Sequence, residues 1–526
     1  MSFRPSRRIL TWNSPLTTIV LITVAVLVGV LLGRLPILQG LVFVGLFGVL
    51  IGTLIEPFVG LAVALFLGPL KAYLSAYVPY VPAQIAHAFV ALALGAWLAQ
   101  RLSERDLRIR KSSILLAFLI LIGAALLSLW DGVGVVAFGT LELIKWLEML
   151  VLFVFVSHHL AAGVEPRSGG ANPPLSQSRR FRWLLLAVLS AGLFQAVIGI
   201  WQFGLRGDGP DHFAILGGDF FRAYGTFEQP NPYAGYMGLT AALALGMIAD
   251  RVRNNLVNWW EGRHGSTRTD QAFAGPRAEQ RCSVPLHILA TSGFLFMLIA
   301  LGASWSRGAW IGFGAAGLVI TAALPRKLSQ GLLLSVLLVI GGLALYQSGQ
   351  LPTSFTTRLT SFVQDIWLGD VRGIPINDAN YAVVERLAHW QAALSMFRHN
   401  FWSGVGFGGY EAAYSAFALI NWPIALGHAH NYYLNLLGET GLIGLLAYGL
   451  LWSVVFWQTW RVTRVSQGLM RGVAVGLLGT WTHLTVHHLL DNLYVNNIHL
   501  HIGVLLGILA FIVQQTRQEK LVANDQ

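Results

Sequence analysis

Cysteine occurs once in the 526 residues, at Cys282, which excludes an intrachain disulfide and any cysteine-built metal site. Charge is scarce as well: Asp, Glu, Lys and Arg make up 11% of the chain, where soluble domains carry about 25%. No H-E-x-x-H helix motif occurs, so the usual zinc-hydrolase signature is absent. What fills the chain is apolar, with 55% hydrophobic residues and a mean hydropathy of +0.61. A soluble globular protein is excluded by that balance, and a polytopic membrane protein is implied. The formal charge of +11 then needs no nucleic-acid partner. Lys and Arg collect on the cytoplasmic side of membrane proteins, and membrane lipids are the expected surroundings.

Apolar blocks fall at about 16–33, 36–55, 57–74, 83–100, 112–130, 138–158, 183–203, 233–250, 285–304, 308–324, 328–346, 441–460, 472–490 and 498–514. Each approaches the roughly 20 residues that cross a bilayer as a helix. Only Glu56-Pro57 separates the second from the third, so the reading is an all-α bundle of about twelve to fourteen transmembrane helices. Basic residues occupy alternate connections: Arg101 to Lys111, Arg167 to Arg182, Arg251 to Arg281, Arg326-Lys327, Arg461 to Arg471, then Arg517 and Lys520. That alternation predicts a multi-pass plasma-membrane protein with both termini cytoplasmic. Arg4, Arg7 and Arg8 precede the first block and no small-x-small site follows it, which reads as an uncleaved first span. The inner stretches 161–181 and 251–284, rich in Gly, Ser, Pro, Asn and Arg, read as mobile linkers. The chain divides into N-terminal helices (1–203), central helices (204–346), a large extracytoplasmic loop with helical periodicity (347–440) and C-terminal helices (441–526). No internal repeat is visible.

Two arginines break the charge rule. Arg222 lies in "FFRAYGTFEQPNPYAGY" and Arg307 in "SWSRGAWIGF", both on the predicted outer side next to a span. Arginine near hydrocarbon is costly and usually faces a cavity or a partner. Its planar fork suits a diphosphate, while pairing of Arg222 with Glu228 is the structural alternative. Asn231, between two prolines at a helix entry, is accounted for as a cap.

"GHAHNYYLNLLGETGLIGLL" places His428, His430 and Asn431 just before a span, with Glu439 at its start. A neutral imidazole can take a proton from a sugar hydroxyl, so His430 is the candidate base and His428 its neighbour. Glu439 is either a second base or an arginine's partner. In the large loop, Val384, Leu387, Trp390, Leu394 and Phe397 recur at helical spacing, giving an amphipathic helix at the interface or a packed cap. "GVGFGG" at 404–409 satisfies G-x-G-x-x-G without a βαβ unit around it, which excludes a dinucleotide site. His483, His487, His488, Asp491, His499 and His501 form a possible metal cluster, but interfacial histidines are commonly polar anchors and no metal is assigned. Trp305, Trp310, Trp402 and Trp422 read as an aromatic belt.

"GTFEQPNPYAGY", "SWSRGAW", "ERLAHWQAALSMFRHNFWSGVGFGGY" and "HAHNYYLNLLGETGLIGLLAYGLL" follow one another in this order. Together they resemble the O-antigen ligase and O-antigen polymerase superfamily of bacterial envelope glycosyltransferases, over about 220–460. The resemblance implies transfer of a glycan from an undecaprenyl-diphosphate carrier to a lipid or glycan acceptor hydroxyl, without cofactor or metal. It implies that Arg222, Arg307 and Arg386 hold the diphosphate, that His430 is the catalytic base, and that His428, Asn431 and Glu439 support it. Repeat-unit polymerisation is the alternative within the class. A small-anion, bicarbonate-type transporter or an assembly scaffold are the alternatives outside it.

Overall fold

The computed structural model describes residues 36–524 except 107, 131–135, 163–178, 264–276, 361–369 and 378–379, together with scattered positions between 23 and 34. The helices are α1 (Ile37–Ile55), α2 (Phe58–Leu67, prolonged through a 3₁₀ turn into Lys71–Tyr77), α3 (Ile85–Glu104), α4 (Ser113–Trp130), α5 (Val136–Ala162), α6 (Arg179–Ile200), α7 (Pro230–Arg263) and α8 (Arg277–Ala303). They continue with α9 (Arg307–Ala323), α10 (Leu328–Gln347), α11 (Thr353–Thr360), α12 (Tyr381–His399), α13 (Tyr410–Phe417), α14 (Tyr432–Val465), α15 (Gly468–His487) and α16 (Ile498–Asn524). The one sheet among the described residues is a hairpin of two-residue strands, Ala214–Ile215 and Phe220–Phe221. The all-α membrane reading therefore holds.

Nine of the described helices are long and apolar enough to cross a membrane, and α9 and most of α1 are shorter apolar helices. The spans expected at 138–158 and 472–490 are helical as well, as α5 and α15. The block at 16–33 lies largely outside the described residues. One expectation is corrected. The stretch 251–284 is not a linker throughout, because α7 runs on to Arg263 and α8 begins at Arg277. Between Arg251 and Trp260 there is neither Gly nor Pro to stop the helix, so it continues past its apolar segment. Most of 161–181 lies outside the described residues.

At the centre stand α7, α15 and α16, with 83% of the apolar window buried in α7 and 94% in α16. With lipid outside, helices gain by letting backbones approach, and small residues permit it. Gly246 of α7 and Gly476 of α15 meet so closely that a methyl group on either would overlap the other helix's backbone. By contrast α10 has 6% of its window buried, and Gly331, packed against Ala322, is its one fully buried residue.

The basic connections gather at one end of the bundle. There Arg110 donates to Gln514, Arg464 to the Pro325 carbonyl and Gln458 to Ser113. Arg471, counted from sequence as a loop charge, is instead buried in the first turn of α15. It pairs with Asp250 of α7 and donates to the carbonyls of Thr463 (3.0 Å) and Leu324 (2.7 Å), tying four helices together. Removing one partner leaves the other charge buried alone, so Arg471→Met is expected to destabilise the fold by about 3–5 kcal/mol. Thermal unfolding in detergent measures this, and an unchanged midpoint would refute it.

The loops of interest gather at the opposite end. Helix α12 packs there on α14 as a cap, burying Val384, Leu387, Ala388, Ala392, Ala393 and Met396. Its Leu394 and Phe397, expected on the apolar face, are only half-buried, because the small side chains of Ala392 and Ala393 let α12 sit closest to α14. Trp422 belongs to this cap's core, with Val371 and Val384, and not to an interfacial belt.

Candidate functional site

The segment Gly427–Asn431 is held by its own backbone before it reaches α14. Asn431 is the N-cap: it has extended dihedrals, and its side chain accepts from the Tyr433 and Leu434 amides at 3.0 and 3.1 Å. The Ala429 amide donates to Asn435 Oδ1 (3.1 Å) and the Tyr432 amide to the His488 carbonyl (2.8 Å). His430 sits at φ 53°, an uncommon conformation for a non-glycine residue, and its amide donates to His428 Nδ1 at 3.0 Å. The two rings lie 4.5 Å apart, edge to face at 68°. Both face Asp491, in the turn after α15, at 3.7 Å from His428 Nε2 and 3.8 Å from His430 Nδ1.

Burial pushes the His428 imidazole down to about 4, against the opposing pull of Asp491, so it is neutral at ordinary pH. Burial alone would raise the Asp491 carboxyl, but the imidazoles of His430 and His428 hold it well below the usual carboxylate range. Neither ring nitrogen of His430 has a hydrogen-bond partner among the described residues, and both are buried. His428, His430 and Asp491 offer ligand atoms within 4.8 Å of one another, a spacing a metal ion could use.

Asp491 also lines a cavity of about 160 Å³ whose other walls bring four arginines together: Arg222, Arg307, Arg358 and Arg386. They arrive from separate elements. Arg222 follows the short hairpin and donates to the Ser304 carbonyl (2.9 Å) and Asn231 Oδ1 (3.1 Å). Arg307 opens α9, Arg358 lies on α11 and Arg386 on α12. Burial, then Arg358, Arg386 and Arg307, push the Arg222 guanidinium down to about 9. Burial and Arg386 likewise lower Arg358. Among the described lining residues four guanidiniums converge with one carboxylate, a balance suited to a polyanion.

The family model described as O-antigen ligase matches residues 292–449, a stretch that holds Arg307, Arg358, Arg386, His428 and His430. Over that stretch the chain is similar to the O-antigen ligase family. The matched family is one of glycosyltransferase-type enzymes acting on lipid-linked glycans, and the nine long apolar helices among the described residues agree with a multi-pass membrane protein. No curated protein matches the chain.

The remaining candidates of this O-antigen ligase relative fall into place around the cavity. Asn231, read as a cap only, lines it and receives Arg222, while Glu228 contacts Tyr77 (3.3 Å) in place of Arg222. Arg358 was missed in the sequence, although an arginine on the outer side was the signal that singled out Arg222 and Arg307. His487 lines the cavity too. Glu439 is buried and, among the described residues, pairs with no arginine; its carboxylate accepts the Tyr410 amide at 3.2 Å. That bond belongs to a clasp at the kink in α14. Gly441 takes φ 60°, which frees carbonyls at Gly438 and Glu439 for the amides of Val405 (3.0 Å) and Gly406 (2.8 Å). The glycines of "GVGFGG" thus allow a loop to lie directly on a helix, and a side chain at Gly404 would overlap Glu439.

The other histidines are dispersed. His483 contacts the Gly235 carbonyl (3.0 Å) and His501 the Tyr236 hydroxyl (3.0 Å). His499 and His87 grip Glu148 from either side, at 2.9 and 2.8 Å, a second grouping with metal-compatible spacing. It lines a larger cavity of about 840 Å³ beside α3 and α5, which Gly427 also lines. Asp491, which faces both histidines, lines the arginine cavity, and Gly427, which precedes His428, lines the second one.

Proposed function

We propose that this protein transfers a glycan from an undecaprenyl-diphosphate carrier to an acceptor hydroxyl at the extracytoplasmic face of the bacterial plasma membrane, with both termini cytoplasmic. The observation that carries the reading is the convergence of four guanidiniums on one cavity whose rim, Asp491, faces His428 and His430. Guanidiniums bind phosphate oxygens bidentately and keep their charge, so they hold the diphosphate and stabilise it as it leaves. His430 turns its Nδ1 toward Asp491, which assigns the base role to Nε2 once the acceptor reaches it.

The step balances simply. The acceptor O–H proton passes to His430, the acceptor oxygen bonds to the anomeric carbon, and the bond from that carbon to the diphosphate breaks. The electron pair goes to the phosphate oxygens facing Arg222, Arg307, Arg358 and Arg386. Asp491 stabilises the imidazolium that forms. Asn431 caps α14, and Glu439 holds the glycine-loop clasp; both support the histidine segment from behind. The second cavity, bounded by Gly427, gives the acceptor an approach from the other side of that segment.

Release of undecaprenyl diphosphate from a lipid-linked oligosaccharide in liposomes, with a mixed acceptor pool, tests the proposal. Release that vanishes in His430→Ala and Arg307→Ala supports it. No release, with bicarbonate accumulating in the liposomes, would replace it with transport. The location of the arginines argues against that second reading, since transporters place their sites near the midplane on broken helices. Product length separates ligation from polymerisation.

We further propose that the reaction needs no metal. Added chelator is expected to leave the rate unchanged. Loss of activity restored by a divalent cation would instead give His428, His430 and Asp491 a metal-binding role.

A further inference from the structure

At the basic end of the bundle, away from the arginine cavity, a groove of about 640 Å³ runs between α2 and α6. One wall is the face of α2 formed by Phe58, Val59, Ala62, Val63 and Phe66, and the other begins at Trp183 of α6. Phe66 and Phe194, with ring centroids 6.2 Å apart, bring the two helices together at the deep end. From Phe58 to Phe66 the groove covers about 12 Å at 1.5 Å per residue, close to the roughly 15 Å depth of one leaflet. Its mouth is polar. Arg179 and Arg180 stand there with Glu56, and Trp183 is 62% exposed beside them.

Glu56 does not cancel the charge at the mouth. Its carboxylate is taken up by His159 Nε2 at 2.5 Å and by Arg180 Nε at 2.8 Å. Among the described residues two guanidiniums therefore meet one carboxylate, and Arg101 acts on the same imidazole from nearby. An apolar slot one leaflet deep, opening at a cationic mouth beside an interfacial tryptophan, matches a lipid with an anionic head. The segment 1–35 is the rival occupant, but its charged residues are Arg4, Arg7, Arg8 and Arg34, of the same sign as the mouth.

We propose that this groove binds one anionic phospholipid, with an acyl chain along the Phe58–Phe66 face and the phosphate at Arg179 and Arg180. The site is independent of the glycan-transfer reading. The full chain, purified from nanodiscs of equimolar phosphatidylglycerol and phosphatidylcholine, is weighed intact by native mass spectrometry to count retained lipids. Phosphatidylglycerol is expected in at least about three-fold excess, falling to parity in Arg179→Glu, which reverses the mouth charge, and in Ala62→Trp, which fills the slot. Equal retention of the two lipids by wild type would overturn the proposal, and so would an excess that survives both variants. Lipid binding seen only after deletion of residues 1–35 would give the groove to that segment and also overturn it. Displacement of the bound lipid by inorganic phosphate alone would remove the acyl-chain part.

Discussion

Replacing His430 with alanine is expected to lower glycan transfer by about 10²–10⁴-fold, the range typical of a lost general base. The loss should fall on kcat with little change in KM, because the ring acts on the hydroxyl proton and the donor's charge is held elsewhere. Asp491→Asn separates orientation from base chemistry. It keeps the size of a side chain that faces both imidazoles at under 4 Å but no longer stabilises a charged ring. A loss of about 10²-fold or more is expected there as well, since an asparagine can fix the wrong tautomer. His428→Ala, which removes the acceptor of the His430 amide, should cost less than either. If His428→Ala abolished transfer while His430→Ala retained it, the roles of the two rings would be exchanged.

The second large effect belongs to the arginines. Each charge-assisted hydrogen bond to phosphate is worth roughly 1.5–3 kcal/mol, so Arg307→Ala should lower diphosphate affinity about ten- to one-hundred-fold. Arg307→Lys should recover only part of this, because an ammonium lacks the fork. Arg358 allows a sharper test. Burial and Arg386 already lower its guanidinium, and it adds to the repulsion around Arg222. Arg358→Gln should therefore weaken diphosphate binding and, without an anion, raise the melting temperature of the unliganded protein. Pyrophosphate should stabilise the wild type more than this variant. A variant that lost stability with and without the anion would mark Arg358 as a structural residue.

The sequence made the bundle legible because apolar length and basic alternation are local signals, readable one segment at a time. Arg222 and Arg307 stood out for the same reason, since a charge on the predicted outer side of a span is conspicuous without knowledge of the fold; Arg386 came only from the family resemblance. Asp491 was visible only as part of a histidine-rich stretch. Its tie to His428 and His430 joins residues some sixty positions apart across the turn after α15, and no spacing rule reports that. Asn231 was explained too early: it lies inside the first turn of α7, and its Oδ1 accepts from Arg222 at the cavity wall. The partner of Glu439, the Tyr410 amide, was not legible because it depends on the kink at Gly441, a conformation that the letters "ETGLIG" do not reveal.

Helix α10 carries a different lesson. Its buried contact is a close approach of Gly331 to α9, with Ser335 donating to the Leu318 carbonyl at 3.0 Å, and nearly all the rest of its surface faces outward. Beyond those two positions its side chains meet little else among the described residues and answer to the bilayer. Mutational tolerance along it should then follow hydropathy alone: leucine, isoleucine, valine and phenylalanine would be interchangeable at most sites, and drift between related genomes would be fast. A labelling or fusion site placed on its outward face would leave both cavities untouched.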